Sequence, residues 1–341
     1  MVSVFRRPGF IISTIIVLFF LVLGYLGNIN AISRMYVSNG TDLMYYIGIG
    51  LAMAIIMSYA GYVSFGQAVF VGIGSFSTGY VLVLMNRSNI ISYLAKIGSG
   101  GRISNTMLAV YFTESLLLAI TISVFIAVVV GYAVLRLRGA FFAISTIGLD
   151  YVVMYLVKYI TKTRSPFGGE ELLNPSMGLT DMTFYWMHFI LFIITIYVAY
   201  FVKISKFGYG LAAIREDEDA AEIMGVNTFR YKIYAFALSG ILASFWGIAE
   251  AFRKSYSIGY FKLDKSIIML VENVVGGIGS FIGPIIGSII YYLLEWSFLT
   301  TVGQWTLVIL GATVVVVVAF FPEGIVGLLK KRFPRLRKWL E

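Results

Sequence analysis

Three carboxylates lie inside apolar runs of this chain, Asp150, Glu272 and Glu295, with Glu114, Glu250 and His188 closer to the ends of such runs. An ionisable side chain is expensive in hydrocarbon and is kept there only where it is paired, faces a polar cavity or moves charge. Two chemistries follow: a proton or cation pathway through the acids, or hydrogen bonding in a polar interior. We favour the second for the set and take Asp150 as the functional exception, because eleven residues of helix beyond Gly139 place it about 16 Å deep. Other chemistries are excluded. The 341 residues contain no Cys and a single His, which removes disulfides, thiol catalysis and nearly every soft-metal site. No G-x-x-x-x-G-K-[ST] string occurs, so the chain has no phosphate-cradling loop of its own. No nucleophile, base and orienting group assemble into a catalytic set, and no enzyme is expected.

What positions these acids is a membrane. Hydrophobic residues make up 59% of the chain and charged ones 13%, with a mean hydropathy of +0.89, far from the roughly 25% charged residues of soluble domains. The fold class expected is all-α, a polytopic membrane protein of about ten transmembrane helices. The runs lie near 10–27, 41–59, 67–85, 107–134, 140–158, 185–202, 232–252, 266–276, 283–298 and 304–321. The first follows Arg6 and Arg7 and lacks a small-residue cleavage motif, so we read it as a retained span. The eighth run, Ser266 to Gly276, is too short to cross about 30 Å at 1.5 Å per residue and predicts a half-helix. GYVSFGQ, from Gly61 to Gln67, predicts a second interruption, tolerable only where protein or water satisfies the backbone. GIGSF occurs at Gly72–Phe76 and again at Gly277–Phe281. Either this marks two halves of five spans inverted in the membrane, or it is a chance match of abundant small residues.

The net charge of +9 is carried by residues flanking the apolar runs, which argues for membrane topology over nucleic acid. Of the 26 basic residues, 15 fall on the side that carries the N-terminus and the 323–341 tail, 11 on the other. The rule that cytoplasmic loops are rich in Lys and Arg puts both termini in the cytoplasm. The same side receives a charged island, KFGYGLAAIREDEDAAEIMGVNTFRYK, Lys206 to Lys232. Gly208 and Gly210 are expected to break the preceding helix, LAAIREDEDAAEIM to form one short helix, and Gly225 to stop it. Arg215 and Asp219 have i, i+4 spacing and are expected to pair. Leu211, Ile214 and Met224 with Ala212, Ala213, Ala220 and Ala221 give an apolar stripe suited to a groove in another protein; the alternative is a plain connector.

The island, GYGLAAIREDEDAAEIMGVNTFRYKIYAFALSG, resembles the cytoplasmic loop of the permease subunits of Liv-type branched-chain amino acid ABC importers, the M-type subunit above all. Four more segments agree in order: SYAGYVSFGQAVFVGIGSFSTGYVL from Ser58, LRLRGAFFAISTIGLD from Leu135, VVGGIGSFIGPIIGSIIYYLLE from Val274 and FFPEGIVGLL from Phe320. Their co-occurrence over residues 58 to 329 is far more specific than any one of them. The resemblance implies a single permease domain, 1–341, in the cell membrane, with a coupling segment at 203–231 and a basic cytoplasmic tail at 323–341. It implies that Arg215, Glu216, Asp217, Ala220, Ala221 and Gly225 belong to the part that docks on an ATPase. Implied partners are a homologous permease subunit, two cytoplasmic ATPase subunits, an extracytoplasmic substrate-binding protein and membrane lipid. No cofactor is implied in this chain, since ATP and Mg belong to the ATPases. A zwitterionic amino acid calls for backbone dipoles, hydroxyls and amides, which puts Ser64, Gln67, Ser145, Thr146 and Asn273 on the substrate path beside Asp150 and Glu272. Where the family has a TGG-type segment this chain has SPFGGEELLNPSMGL, Ser165 to Leu179, so docking of the binding protein is expected to differ. Permeases for urea or sugars share the architecture. A stand-alone ion-coupled transporter using Asp150 or Glu272 is the competing class.

Overall fold

The computed structural model describes residues 8–82, 105–164, 171–172, 179–254, 256–302, 311–312 and 324–333. Nearly all of them are helical, because in lipid only a helix satisfies its own backbone without an edge. In chain order the helices are α1 (Pro8–Asn28), α2 (Arg34–Ala54), α3 (Gln67–Tyr80), α4 (Asn105–Val134), α5 (Ala140–Arg164) and α6 (Asp181–Ile204). They continue as α7 (Lys206–Glu216), α8 (Glu218–Ile223), α9 (Thr228–Arg253), α10 (Leu263–Gly276), α11 (Ile282–Val302) and α12 (Gly324–Arg332). Two short strands, β1 (Glu171–Leu172) and β2 (Tyr256–Ser257), pair antiparallel with Leu172 opposite Tyr256.

Six helical stretches among the described residues are long and apolar enough to cross a membrane: α1, α2 with its extension to Tyr59, α4, α5, α6 and α9. Burial sorts them. The apolar windows of α2 and α9 are 83% and 78% buried within the chain, those of α1 and α4 only 22%, so α2 and α9 form the centre and α1 and α4 turn most of their surface outward. α9 packs on α3, α4 and α2; α10 and α11 form a hairpin that leans on α2. Small residues set the closest approach. A Cβ on Gly74 of α3 would overlap the carbonyl of Ser244, and one on Gly247 of α9 would overlap that of Val71, so the two backbones touch directly.

Both predicted irregularities are present. α2 widens into a π-helical turn at Ile55–Tyr59, after which residues 60–66 are non-helical. α3 and α10 each have 14 residues, about 21 Å of helix and less than a hydrocarbon core. The eighth run is therefore a short helix, whereas the third run, 67–85, is described only to Leu82 and the tenth, 304–321, lies for the most part outside the described residues. The two GIGSF copies have different structures: Gly72–Phe76 is helical, whereas Gly277–Phe281 is the turn between α10 and α11, with Gly277 and Gly279 at positive φ. That match does not mark equivalent positions in two halves. Of the SPFGGEELLNPSMGL loop, only Glu171, Leu172 and Leu179 are described.

Candidate functional site

The island starts where the membrane helix α6 stops, at Ser205, not at Gly208 or Gly210. Ser205 is extended (φ −81, ψ 165) and its hydroxyl accepts from the Gly208 amide at 3.1 Å, an N-cap for α7. Both glycines lie within α7. The single helix expected over 211–224 is two. Asp217 leaves helical geometry (φ −158, ψ 113) and its Oδ1 accepts from the amides of Asp219 and Ala220, both at 3.0 Å, so it ends α7 and caps α8. An acid that satisfies two orphan donors at a new N-terminus wins over mid-helix propensity. The break also removes the i, i+4 pairing of Arg215 with Asp219. Gly225 does stop the helix: at φ +88 it donates to Glu222 O at 2.9 Å while Val226 donates to Ala221 O at 3.0 Å, a Schellman end.

The apolar stripe divides. Leu211, Ile214 and Ala221 are buried within the chain, while Ala220 is exposed and Ile223 and Met224 are 86% and 83% exposed. The outward face is therefore Ala220, Ile223 and Met224, and Ala221 is not part of it.

Beneath α8 lies an ion cluster. Lys232, 3% exposed, donates to Glu218 Oε1 at 2.7 Å and to the Tyr62 hydroxyl at 3.1 Å, and that hydroxyl donates to Glu218 Oε2. Arg138 reaches Asp219 at 2.7 Å and Glu218 at 3.5 Å. Burial opposes the charge on Glu218, but the hydrogen bonds from Lys232 and Tyr62 outweigh it and hold the carboxyl below the usual Glu range. Tyr62, Arg138, Arg215 and Glu218 also line a cavity of about 400 Å³ beside the island.

Arg215 joins this cluster to both irregular segments. Its Nη1 donates to Ser58 O at 3.0 Å in the π turn, and its Nη2 donates to Glu216 at 2.7 Å. The side chain is wedged between Gly61 (φ +78) and Gly279 (φ +86), where a Cβ on either would run into it. Lys203, at the end of α6, donates to Gly279 O and stands 5.4 Å over the Tyr59 ring. Gly324 of α12 closes on Gly277 from another side. The π turn, the α10–α11 turn and the start of α12 thus share one face with the island.

The second group of expected residues surrounds the buried start of α3. Four amides of this region need partners, and side chains supply them. Gly66 N donates to Ser64 Oγ at 3.3 Å, Phe65 N to Thr146 Oγ1 at 3.0 Å, Ala68 N to Ser266 Oγ at 2.8 Å and Val69 N to Asp150 Oδ1 at 3.3 Å. Ser266 Oγ in turn donates to Asp150 Oδ2 at 3.4 Å. Asp150, 1% exposed, thus serves the positive end of α3. Gln67, fully buried, has neither amide atom bonded among the described residues.

Asn273 is saturated. Its Oδ1 accepts from Ser58 Oγ at 2.9 Å, and its Nδ2 donates to Gly50 O at 3.0 Å and Met269 O at 2.8 Å. Glu272, fully buried, has the Ser288 hydroxyl as its polar neighbour, and that hydroxyl donates to Tyr46 O at 3.2 Å. Ser145 stands apart: half-buried, it bonds back to Phe141 O at 2.8 Å.

Sequence reasoning missed Tyr62, Arg138, Lys203, Lys232 and Ser266 as parts of these groups. Arg138 and Glu218 carried a signal as opposite charges on one predicted side. It also missed an ion network on the opposite face, where Arg253 holds Asp42 through Nη1 at 2.6 Å and Nη2 at 3.0 Å. Glu250, 1% exposed, lies there between Arg253, Lys254 and His188.

Sequence comparison completes the assignment. A family profile described as branched-chain amino acid transport system / permease component matches residues 35–318. The chain belongs to this permease family. The permease is 25% identical over 328 residues to the high-affinity branched-chain amino acid transport system permease protein LivM of Salmonella typhimurium, spanning 88% of this chain and 72% of that protein. It is also 26% identical over 200 residues to LivH of Escherichia coli, 54% of this chain and 63% of that one. Against the galactose/methyl galactoside import permease protein MglC of Escherichia coli it is 27% identical over 187 residues, 52% and 54% of the two chains. No solved structure matches the permease. The Liv-type resemblance carried by the island and its companion segments stands.

Proposed function

We propose that this permease is a membrane subunit of an ATP-driven importer of amino acids, branched-chain ones first. ATP and Mg bind separate cytoplasmic ATPase subunits, two per transporter; a homologous permease completes the membrane channel, and an extracytoplasmic binding protein delivers the solute. The permease threads the membrane with its ten apolar segments, the eighth entering as a short helix, and keeps both termini and the island in the cytoplasm. The exposed face of α8, Ala220, Ile223 and Met224, seats on an ATPase, with Gly225 shaping its end.

The observation that carries this reading is the Arg215 wedge, which contacts Ser58 O, Gly61 and Gly279. A push on the island reaches both broken segments through one side chain. Glu216 and Asp217 hold that side chain and the kink behind it. The substrate path then follows the half-helix region of Ser64, Gln67, Thr146 and Asp150 and the α10 pair Glu272 and Asn273, with Ser145 displaced from it. Glu272, a fully buried acid with no ion pair among the described residues, favours a second reading, an ion-coupled transporter that works alone.

Reconstitution with its ATPases, partner permease and binding protein tests the first reading. Uptake of leucine that requires ATP hydrolysis is expected. Uptake of galactose in its place would move the permease to the sugar branch, and leucine uptake indifferent to ATP would overturn the assignment.

A further inference from the structure

On the face away from the island, a cavity of about 390 Å³ opens between α2, the end of α9, the 3₁₀ turn Ile258–Phe261 and the start of α10. Tyr45, Glu250, Lys254, Tyr260, Lys262 and Lys265 are among its lining residues. Its size is at the small end of the roughly 300–1,000 Å³ range of ligand pockets, fitting a small solute.

The lining is unevenly paired. Lys254 is committed to Asp42 at 3.2 Å and to Glu250 at 3.3 Å. Lys262 and Lys265 have no ion-pair partner among the described residues. The Tyr45 hydroxyl, on a side chain 3% exposed, has no hydrogen-bond partner among them either. A buried hydroxyl left open beside unpaired ammonium groups lacks an acceptor, and an ammonium can only donate. Oε2 of Glu250 makes no hydrogen bond, although Lys254 is near. The lining thus offers donors in excess with one acceptor beside them, the complement of a carboxylate that also carries an ammonium. Beyond the cavity, Lys265 and Glu272 are seven residues apart, two turns along one face of α10, so the buried acid lies about 10 Å further along that helix.

We propose that this cavity is the outer receiving site for the transported solute, with Lys265 and Tyr45 holding its carboxylate and Glu250 facing its ammonium. The proposal rests on the reading of the chain as an amino acid permease. It places the first solute contact at the α9–α10 junction, ahead of the half-helix region.

The test uses the full chain in lipid nanodiscs with its lysines carrying ¹³C-methyl groups, so that each is read by NMR, the Lys265 signal being assigned with Lys265→Arg. L-leucine is titrated against leucinol, which lacks the carboxylate, and galactose. A saturable shift of the Lys265 signal with leucine alone is expected, with affinity falling about tenfold in Tyr45→Phe, as loss of a hydrogen bond to a charged group requires. In the complete transporter, Lys265→Gln is expected to raise KM for leucine with kcat little changed. An unmoved Lys265 signal while the complete transporter takes up leucine would overturn this site and leave the function standing. A shift with galactose and none with leucine would overturn both, and an equal shift with leucinol would overturn the carboxylate assignment.

Discussion

Asp150 is bonded at both oxygens, to the Val69 amide and to Ser266. Its work is geometric: it holds the first turn of α3 against α5 and α10. Asp150→Asn keeps one acceptor and the volume, so ATP-dependent uptake by the complete transporter should stay within about twofold of wild type. Asp150→Ala leaves a buried amide unpaired at a cost of roughly 1–3 kcal/mol, visible as a lower Tm of the purified chain. Loss of uptake in Asp150→Asn with normal assembly would show instead that the ionised carboxylate takes part in transport. Glu218 gives a different test. Its folded carboxyl titrates below the ordinary Glu value of about 4.3, so its stabilisation is full above that value and is lost as pH falls through the lowered one. Stability should therefore be insensitive to this group between pH 6 and 8. Glu218→Gln strands the buried Lys232 and should cost roughly 3–5 kcal/mol, much of it recovered when Lys232→Met is added; additive losses in that double-mutant cycle would show that the two do not interact.

Elements were legible where periodicity or charge is local. The long runs became α1, α2, α4, α5, α6 and α9 with ends shifted by a few residues, and the short eighth run became α10. The island was found by its charge, but not its kink, because Asp217 was read as one more helix residue and its side chain caps α8. The supports of the α3 start were illegible for another reason: Thr146, Asp150 and Ser266 lie about 80 to 200 positions away in sequence, and nothing in one chain's residues announces such a pairing. α8 carries the prediction at this scale. Ala220→Glu adds charge to the exposed face and should leave Tm unchanged while weakening ATPase pull-down at least about tenfold, since a desolvated unpaired charge costs several kcal/mol. Ala221→Glu, on the buried side, should destabilise the permease itself. Wild-type pull-down by Ala220→Glu would mark α8 as a connector.

As a whole the molecule joins two buried central helices, α2 and α9, to short segments held by side chains from elsewhere. If transport is driven by separate ATPase subunits, as proposed, the isolated permease in proteoliposomes should not accumulate leucine under a proton or sodium gradient; gradient-driven uptake would establish the ion-coupled reading. The contact of α3 with α9 at Gly74 and Gly247 bears on how such a molecule can move. Two main chains seated on each other have one tight register, because sliding by a turn would bring residues three or four positions away, each with a Cβ, to where none fits. These helices are therefore a keel: the two glycine contacts oppose sliding of one along the other and favour rearrangements in which the pair moves as a unit.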